Sequence, residues 1–186
     1  GKPTPLLDVG ANVEVRPERF VQFAYMGATF MEAVGGVARP RVGLLSIGEE
    51  AKKGTPDVVE ANERLAAGTL NFAGNVEGND ITNGAADVIV TDGFTGNVAL
   101  KLMEGVSSVL LGAVKDAAMS STRSKLGGLL LKPALGNLRE ELDPEGPGGA
   151  YLLGLRRLGV VPHGRFTKFG FSQAILLAAR GVSGDV

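Results

Sequence analysis

Residues 86–98 read Ala-Asp-Val-Ile-Val-Thr-Asp-Gly-Phe-Thr-Gly-Asn-Val. The apolar run from Ala86 to Val90 stops at Thr91-Asp92-Gly93. From Asn97 to Met119, Val98, Leu102, Val106, Val109, Leu110 and Ala113 recur on one side of a helix. A continuous rather than alternating apolar run predicts a strand buried on both faces, and a strand passing directly into a helix predicts a parallel sheet.

The pattern repeats outward from this stretch. Toward the N terminus, Leu6-Leu7-Asp8-Val9-Gly10 is a short apolar run that feeds the loop Gly10-Ala11-Asn12. Pro17 opens a periodic segment reaching about Val34, with Phe20, Phe23, Ala24, Gly27 and Met31 at helical spacing and Gly35-Gly36 ending it. Strands are predicted at 41–47, 70–76 and 86–90. A helix at 57–67 carries the stripe Val58, Ala61, Leu65. Toward the C terminus, Ser120-Ser121-Thr122 is a joint before a second helical segment, 123–142, interrupted by Gly127-Gly128 and Pro133. A Pro/Gly linker at 143–149 leads to a fifth strand at 158–162 and a closing helix at 167–180, anchored by Phe171, Ile175 and Leu176. The fold class is α/β, with a mostly parallel sheet covered on both faces. The expected division is an α/β portion at 1–119, a helical arm and linker at 120–149, and a strand and helix at 150–186 returning to the α/β core.

Composition removes several chemistries. Among 186 residues there is no Cys and a single His, so no thiolate or paired-histidine metal site exists, and no metal or cofactor is expected. The net charge of -1 gives no nucleic-acid footprint. Uninterrupted apolar runs are only a few residues long, which predicts no spanning segment and a cytoplasmic location. Gly, at 28 residues, punctuates the apolar runs and predicts tight turns and backbone-lined sites.

Ligands of open parallel sheets sit at the carboxyl ends of the strands. Polar residues gather there: Asp8 and Asn12, Glu49 and Glu50, Asn75 and Glu77, Asp92 and Asn97, then His163 after the fifth strand. Each serves equally well as a helix cap or turn closer; the set reads as one cleft. In Asp92-Gly93-Phe94-Thr95-Gly96-Asn97, Gly93 and Gly96 allow close backbone approach. Thr95 is the expected helix cap, leaving N–H groups to face an anion, with Lys101 one turn beyond Asn97. Phosphate is the natural guest, although neither the Walker nor the Gly-x-Gly-x-x-Gly pattern is present. In the 48–54 loop, Lys52 or Lys53 contacts phosphate while an ion pair with Glu49 holds it, or the loop is simply solvated. His163 is a proton carrier or a turn histidine bonded to backbone.

The chain is polarised. Residues 150–180 contain no acid against Arg156, Arg157, Arg165, Lys168 and Arg180, whereas acids outnumber bases across 46–92. The basic face suits an acidic partner. Around Arg123, Lys125 and Lys132, the leucines Leu126, Leu129, Leu130, Leu131 and Leu135 fit a dimer interface, interfacial membrane contact or plain core.

Taken in order, Leu-Leu-Asp-Val-Gly-Ala-Asn at 6–12, Pro-Arg-Val-Gly-Leu-Leu-Ser-Ile-Gly-Glu-Glu at 40–50, Lys53-Gly54, Phe-Ala-Gly-Asn-Val-Glu-Gly at 72–78, the 86–98 stretch, Gly148-Gly149-Ala150 and Pro-His-Gly at 162–164 resemble the PlsX family of bacterial phosphate acyltransferases from end to end. The resemblance implies an isopropylmalate-dehydrogenase-like fold shared with phosphotransacetylases. It implies transfer of a long acyl group from acyl carrier protein to inorganic phosphate, giving acyl phosphate for phospholipid synthesis. A homodimer, and peripheral membrane attachment through an arm at about 121–142, are implied as well. Asp8, Asn12, Glu49, Lys53, Asn75, Asp92, Asn97 and His163 carry over as site candidates.

Two departures accompany the resemblance. Family members are longer and begin with an Asp-x-x-Gly-Gly-Asp segment, so this chain is expected to correspond to the C-terminal part, and its activity in isolation to be weak. Arg165-Phe166 also stand where the family often has Ser-Ser.

Phosphate is itself a nucleophile near neutral pH, so the chemistry reduces to orienting it and stabilising the thioester oxyanion. Lys53 and the 92–97 loop with Lys101 are the expected phosphate contacts. Asn12 or Asn75 is the oxyanion donor, Asp8 or Asp92 positions a donor, and His163 protonates the leaving thiolate. A β-decarboxylating dehydrogenase on the same fold, and a non-catalytic membrane-binding dimer module, are the competing readings.

Overall fold

A computed structural model describes residues 4–143, 145–162 and 166–183. They fall into two compact units, 4–100 and 101–183.

The first unit holds β1 (Leu6–Leu7), α1 (Pro17–Ala33), β2 (Val42–Leu45), α2 (Pro56–Ala66), β3 (Phe72–Val76), α3 (Asp80–Asn83), β4 (Val88–Val90) and the opening turns of α4 (Gly93–Met119). The strands form one sheet in the order β1-β4-β2-β3, all parallel. Leu7 and Leu44 both align with Val90, which places β4 between β1 and β2. The α/β reading with a parallel sheet therefore holds. Alternation of side chains sends Val88 and Val90 to one face and Ile89 to the other.

The α1/α2 face carries the larger core. Phe20, Phe23, Ala24 and Met31 of α1, with Val58, Ala61 and Leu65 of α2, pack on Val42, Leu44, Val88 and Val90. Both predicted stripes are buried as expected. Each large apolar side chain of this kind contributes roughly 1.5–3 kcal/mol. Arg64 of α2 reinforces the helix pair through an ion pair to Glu18 at 3.0 Å. The opposite face is thinner: Val76, Ala86 and Ile89, with Leu6, Leu45 and Ile81 packed on them. Ile81 lies in α3, a short helix that its four-residue length hid from periodicity.

The second unit holds the rest of α4, α5 (Thr122–Glu141), β5 (Ala150–Tyr151), β6 (Val160–Val161) and α6 (Lys168–Ser183). The boundary between units falls inside α4, whereas the sequence reading divided the chain at 119/120. Ser121 caps α5 by accepting the Ser124 N–H at 3.0 Å. The chain then folds back, with Gly128 lying directly against Ala118. Neither Gly127-Gly128 nor Pro133 breaks α5.

Four expectations need correction. The fifth strand, expected over 158–162, is β6, only two residues long, and among the described residues it pairs antiparallel with β5. Helix α4 begins at Gly93 rather than Asn97, because Asp92 supplies the cap. The α4 stripe is not core: Val98, Leu102, Val106, Val109 and Leu110 are all exposed. Periodicity reports a face suited to burial but not what buries it. Phe171, Ile175 and Leu176 are likewise exposed, and α6 instead buries Gly170, Ala174 and Gly181. These small residues let α6 approach closely, Gly181 against Tyr151 and Leu158. Helix α4 is also long and apolar enough to cross a membrane, with a mean hydropathy of 1.3 over its best window. Scattered Gly, Ser and Lys residues conceal that average from a count of uninterrupted runs.

Candidate functional site

Because the sheet is wholly parallel, the carboxyl ends of β1, β4, β2 and β3 share one edge. Asp8 and Asn12, Asp92 and Asn97, and Glu49 and Lys53 follow those ends, and Asn75 is the penultimate residue of β3. The structure resolves them into two clusters.

The first cluster joins the 8–12 loop to the start of α4. Asp8 is 4% exposed. Its Oδ1 accepts the N–H groups of Gly10 and Ala11, both at 3.0 Å, and its Oδ2 accepts the main-chain and side-chain N–H of Asn12 at 2.6 and 2.8 Å. Burial pushes the Asp8 carboxyl up. The Asn12 amide and the N–H groups of Ala11, Asn12 and Gly10 outweigh it and hold the group below the usual carboxylate range. The loop is then tied to the next strand and helix. Asp8 N–H donates to the Thr91 carbonyl at 3.0 Å, Gly93 N–H to the Asn12 carbonyl at 2.8 Å, and the Asn97 amide to the Val9 carbonyl at 3.1 Å.

Gly93 and Gly96 are where the sequence reading placed close approach, but what approaches is the chain itself. A Cβ on Gly93 would meet the Asn12 carbonyl, and one on Gly96 the Asp8 carbonyl. Thr95 is not the cap. Its N–H and hydroxyl both donate to the Asp92 carboxylate, at 2.8 and 2.7 Å, since Asp is the stronger capping residue. The first-turn N–H groups of Gly93 and Thr95 therefore face protein acceptors rather than an outside anion. Lys101 belongs to the second unit and pairs with Glu104 at 2.9 Å.

The second cluster lies around the 48–54 loop. Asn75, 6% exposed, donates from its amide nitrogen to the carbonyls of Glu50 at 2.8 Å and Lys53 at 3.4 Å. Its oxygen accepts from Asn62 at 2.9 Å. Ser46 donates its hydroxyl to the Lys53 carbonyl at 2.8 Å. Asn75 is thus engaged as a loop clamp, whereas one hydrogen of the Asn12 side-chain amide has no protein partner among the described residues. The expected Glu49–lysine ion pair is not formed, and neither Lys52 nor Lys53 makes an ion pair among the described residues. Both lysines are exposed. Glu49, Asn62, Asn75, Leu70 and Phe72 line a shallow cavity of about 400 Å³. A second, of about 280 Å³, is lined by Asn12, Arg16, Arg19 and Gln22. Among the described residues, the candidates at the strand ends lie beside these two hollows, Asn12 at one and Glu49 and Asn75 at the other.

His163 and Arg165 lie outside the described residues. Beside that segment, Glu145 caps α6, accepting the Thr167 hydroxyl at 2.6 Å and the Gly170 N–H at 3.0 Å. Bonds from the Thr167 hydroxyl and N–H hold its carboxyl below the usual range. On the arm, Leu126, Leu129, Leu130 and Leu131 are exposed and Leu135 is half-buried.

Sequence reasoning missed Asn62, Ser46 and Thr91. Only Asn62 left a signal: it falls on the buried stripe Val58, Ala61, Leu65, where a polar side chain needs a partner.

Comparison with known proteins gives consistent matches. The profile of the family described as "Fatty acid synthesis protein" matches residues 1–186. A protein named phosphate acyltransferase from Anoxybacillus flavithermus is 45% identical over 186 residues, covering 100% of this chain and 56% of its own length. One of the same name from a Geobacillus species is 46% identical, covering 97% of this chain and 55% of its own. Another, from Elusimicrobium minutum, is 43% identical, covering 94% and 51%. The chain spans about half the length of the curated relatives it matches.

Proposed function

The chain belongs to the fatty acid synthesis protein family, and from that premise we propose that it carries part of the site that transfers a long acyl group from acyl carrier protein to inorganic phosphate. The observation that carries this reading is the interlock of the Asp8–Asn12 loop with the first turn of α4 at the edge of two adjacent parallel strands. Relatives that cover the whole segment bear the name phosphate acyltransferase. The isopropylmalate-dehydrogenase-like arrangement belongs to the same proposal.

In this reading a phosphate oxygen attacks the thioester carbonyl carbon. A C–O bond forms, the C–S bond breaks, and the thiolate leaves and takes a proton. Lys53, exposed and without an ion-pair partner among the described residues, is the phosphate contact in preference to the 92–97 turn, where the N–H groups of Gly93, Thr95 and Gly96 are already bonded. Asn12 donates its remaining amide hydrogen to the developing oxyanion. Asp8 does not react; it fixes Asn12 in place. His163 is the proposed proton donor to the thiolate.

Acyl carrier protein is the proposed partner of the basic residues Arg156, Arg157, Arg165 and Lys168. A homodimer and peripheral membrane contact are proposed for the α4 and α5 faces, which the exposed Leu102, Val106, Val109, Leu129 and Leu130 support. The test is thiol release from acyl carrier protein thioester by the protein at its natural length, with and without phosphate. Release that follows phosphate supports the transferase. Release independent of phosphate marks a thioesterase, and no release with vesicle binding intact marks a membrane module.

A further inference from the structure

A carboxamide has one accepting and one donating end, and Asn75 needs a particular one of them turned toward the 48–54 loop. The carbonyl oxygens of Glu50 and Lys53 both face its amide nitrogen. Rotated by half a turn, the amide would set its own oxygen against two carbonyl oxygens, a repulsive contact in a site that is 6% exposed. The loop backbone, which presents only acceptors there, thus disfavours the rotated orientation from its own side. The same choice is enforced from the other end of the amide, where the Asn62 side chain donates to Asn75 Oδ1 at 2.9 Å.

Asn62 itself is 5% exposed and sits on the face of α2 that Val58, Ala61 and Leu65 bury. It also lines the cavity beside Glu49 and Asn75. An apolar residue would pack on that stripe without a buried polar group, so bulk alone does not account for an amide there.

We propose that Asn62 is a positioning residue for phosphate binding: by orienting Asn75 it fixes the Glu50–Lys53 turn and with it the point from which the Lys53 ammonium reaches. The inference rests on the reading of Lys53 as the phosphate contact.

The test compares wild type with Asn62→Asp and the smaller Asn62→Ser, in the protein at its natural length. Asn62→Asp keeps the shape and removes the donor; Asn62→Ser leaves a hydroxyl too short to reach and covers failure of the first variant to fold. The readouts are KM for inorganic phosphate, kcat, and amide hydrogen exchange across 50–54. The expected result is a KM for phosphate raised about tenfold, kcat within about twofold, and exchange at 50–54 faster by about tenfold with the α1 amides unchanged. A lowered melting temperature with phosphate KM and loop exchange at wild-type values would overturn the proposal and leave Asn62 as a packing residue. If the wild type makes no acyl phosphate, the transferase reading fails by itself. Exchange at 50–54 then decides the orienting role alone, faster exchange upholding it and unchanged exchange ending it.

Discussion

Asp8 and Asn12 form a closed pair: one carboxylate oxygen of Asp8 takes both the main-chain and the side-chain N–H of Asn12, at 2.6 and 2.8 Å. Asp8→Asn removes the charge from a buried acceptor of four hydrogen bonds. At neutral pH it is expected to cost roughly 1.5–3 kcal/mol, the range for hydrogen bonds to charged groups. Urea unfolding measures the difference; values within 0.5 kcal/mol of zero, about the noise of a neutral surface change, would contradict the role given to Asp8.

The same pair sets a pH dependence. The folded-state pKa of Asp8 is depressed, so its contribution is fully present above the ordinary carboxylate value of about 3.9. It is lost as pH falls through the lower folded value. The stability gap between wild type and Asp8→Asn is therefore expected to stay constant from pH 7 to about 5 and to shrink below about 4. A gap that widens on acidification would reverse the sign argued here.

Two glycines of α4 separate close approach from helix propensity. Gly96 lies against the Asp8 carbonyl, so Gly96→Ala forces a shift and is expected to destabilise by roughly 1–3 kcal/mol. Gly112 has open space where its Cβ would be, and Gly112→Ala is expected to stabilise by roughly 0.5–1 kcal/mol. Thermal melts of both variants check the opposite signs.

How much of this was legible follows from what each signal measures. The stripes Phe20, Phe23, Met31 and Val58, Ala61, Leu65 were readable because those helices pack against strands of their own unit. Equally regular patterns at Leu102, Val109, Phe171 and Ile175 misled, since periodicity does not name a partner and small residues set the packing of α6. The edge that gathers Asp8, Asn12, Asp92 and Asn75 was readable from parallel strands alone. Which of these side chains are already bonded was not. That depends on contacts such as Asn75 to the Glu50 carbonyl, 25 residues away in sequence.

On the arm, Leu129, Leu130 and Leu131 stand exposed beside Lys132. Co-sedimentation with anionic vesicles is expected for the wild type and to fall at least several-fold for Leu130→Glu. Equal binding of the two would remove membrane contact from this segment.

Lys53→Met is expected to raise KM for phosphate about tenfold or more, through loss of a charge-assisted contact, with a smaller change in KM for the acyl donor. Steady-state kinetics with each substrate varied in turn separates the two. An effect confined to the acyl donor would move phosphate away from the 48–54 loop.

Attack by phosphate oxygen on the thioester carbon is the centre of this account. Acyl carrier protein thioester supplied with phosphate labelled at every oxygen by ¹⁸O tests it by mass spectrometry of the acyl product. The account predicts acyl phosphate retaining the full label and formed only when phosphate is present. Unlabelled free acid appearing at the same rate without phosphate would contradict it.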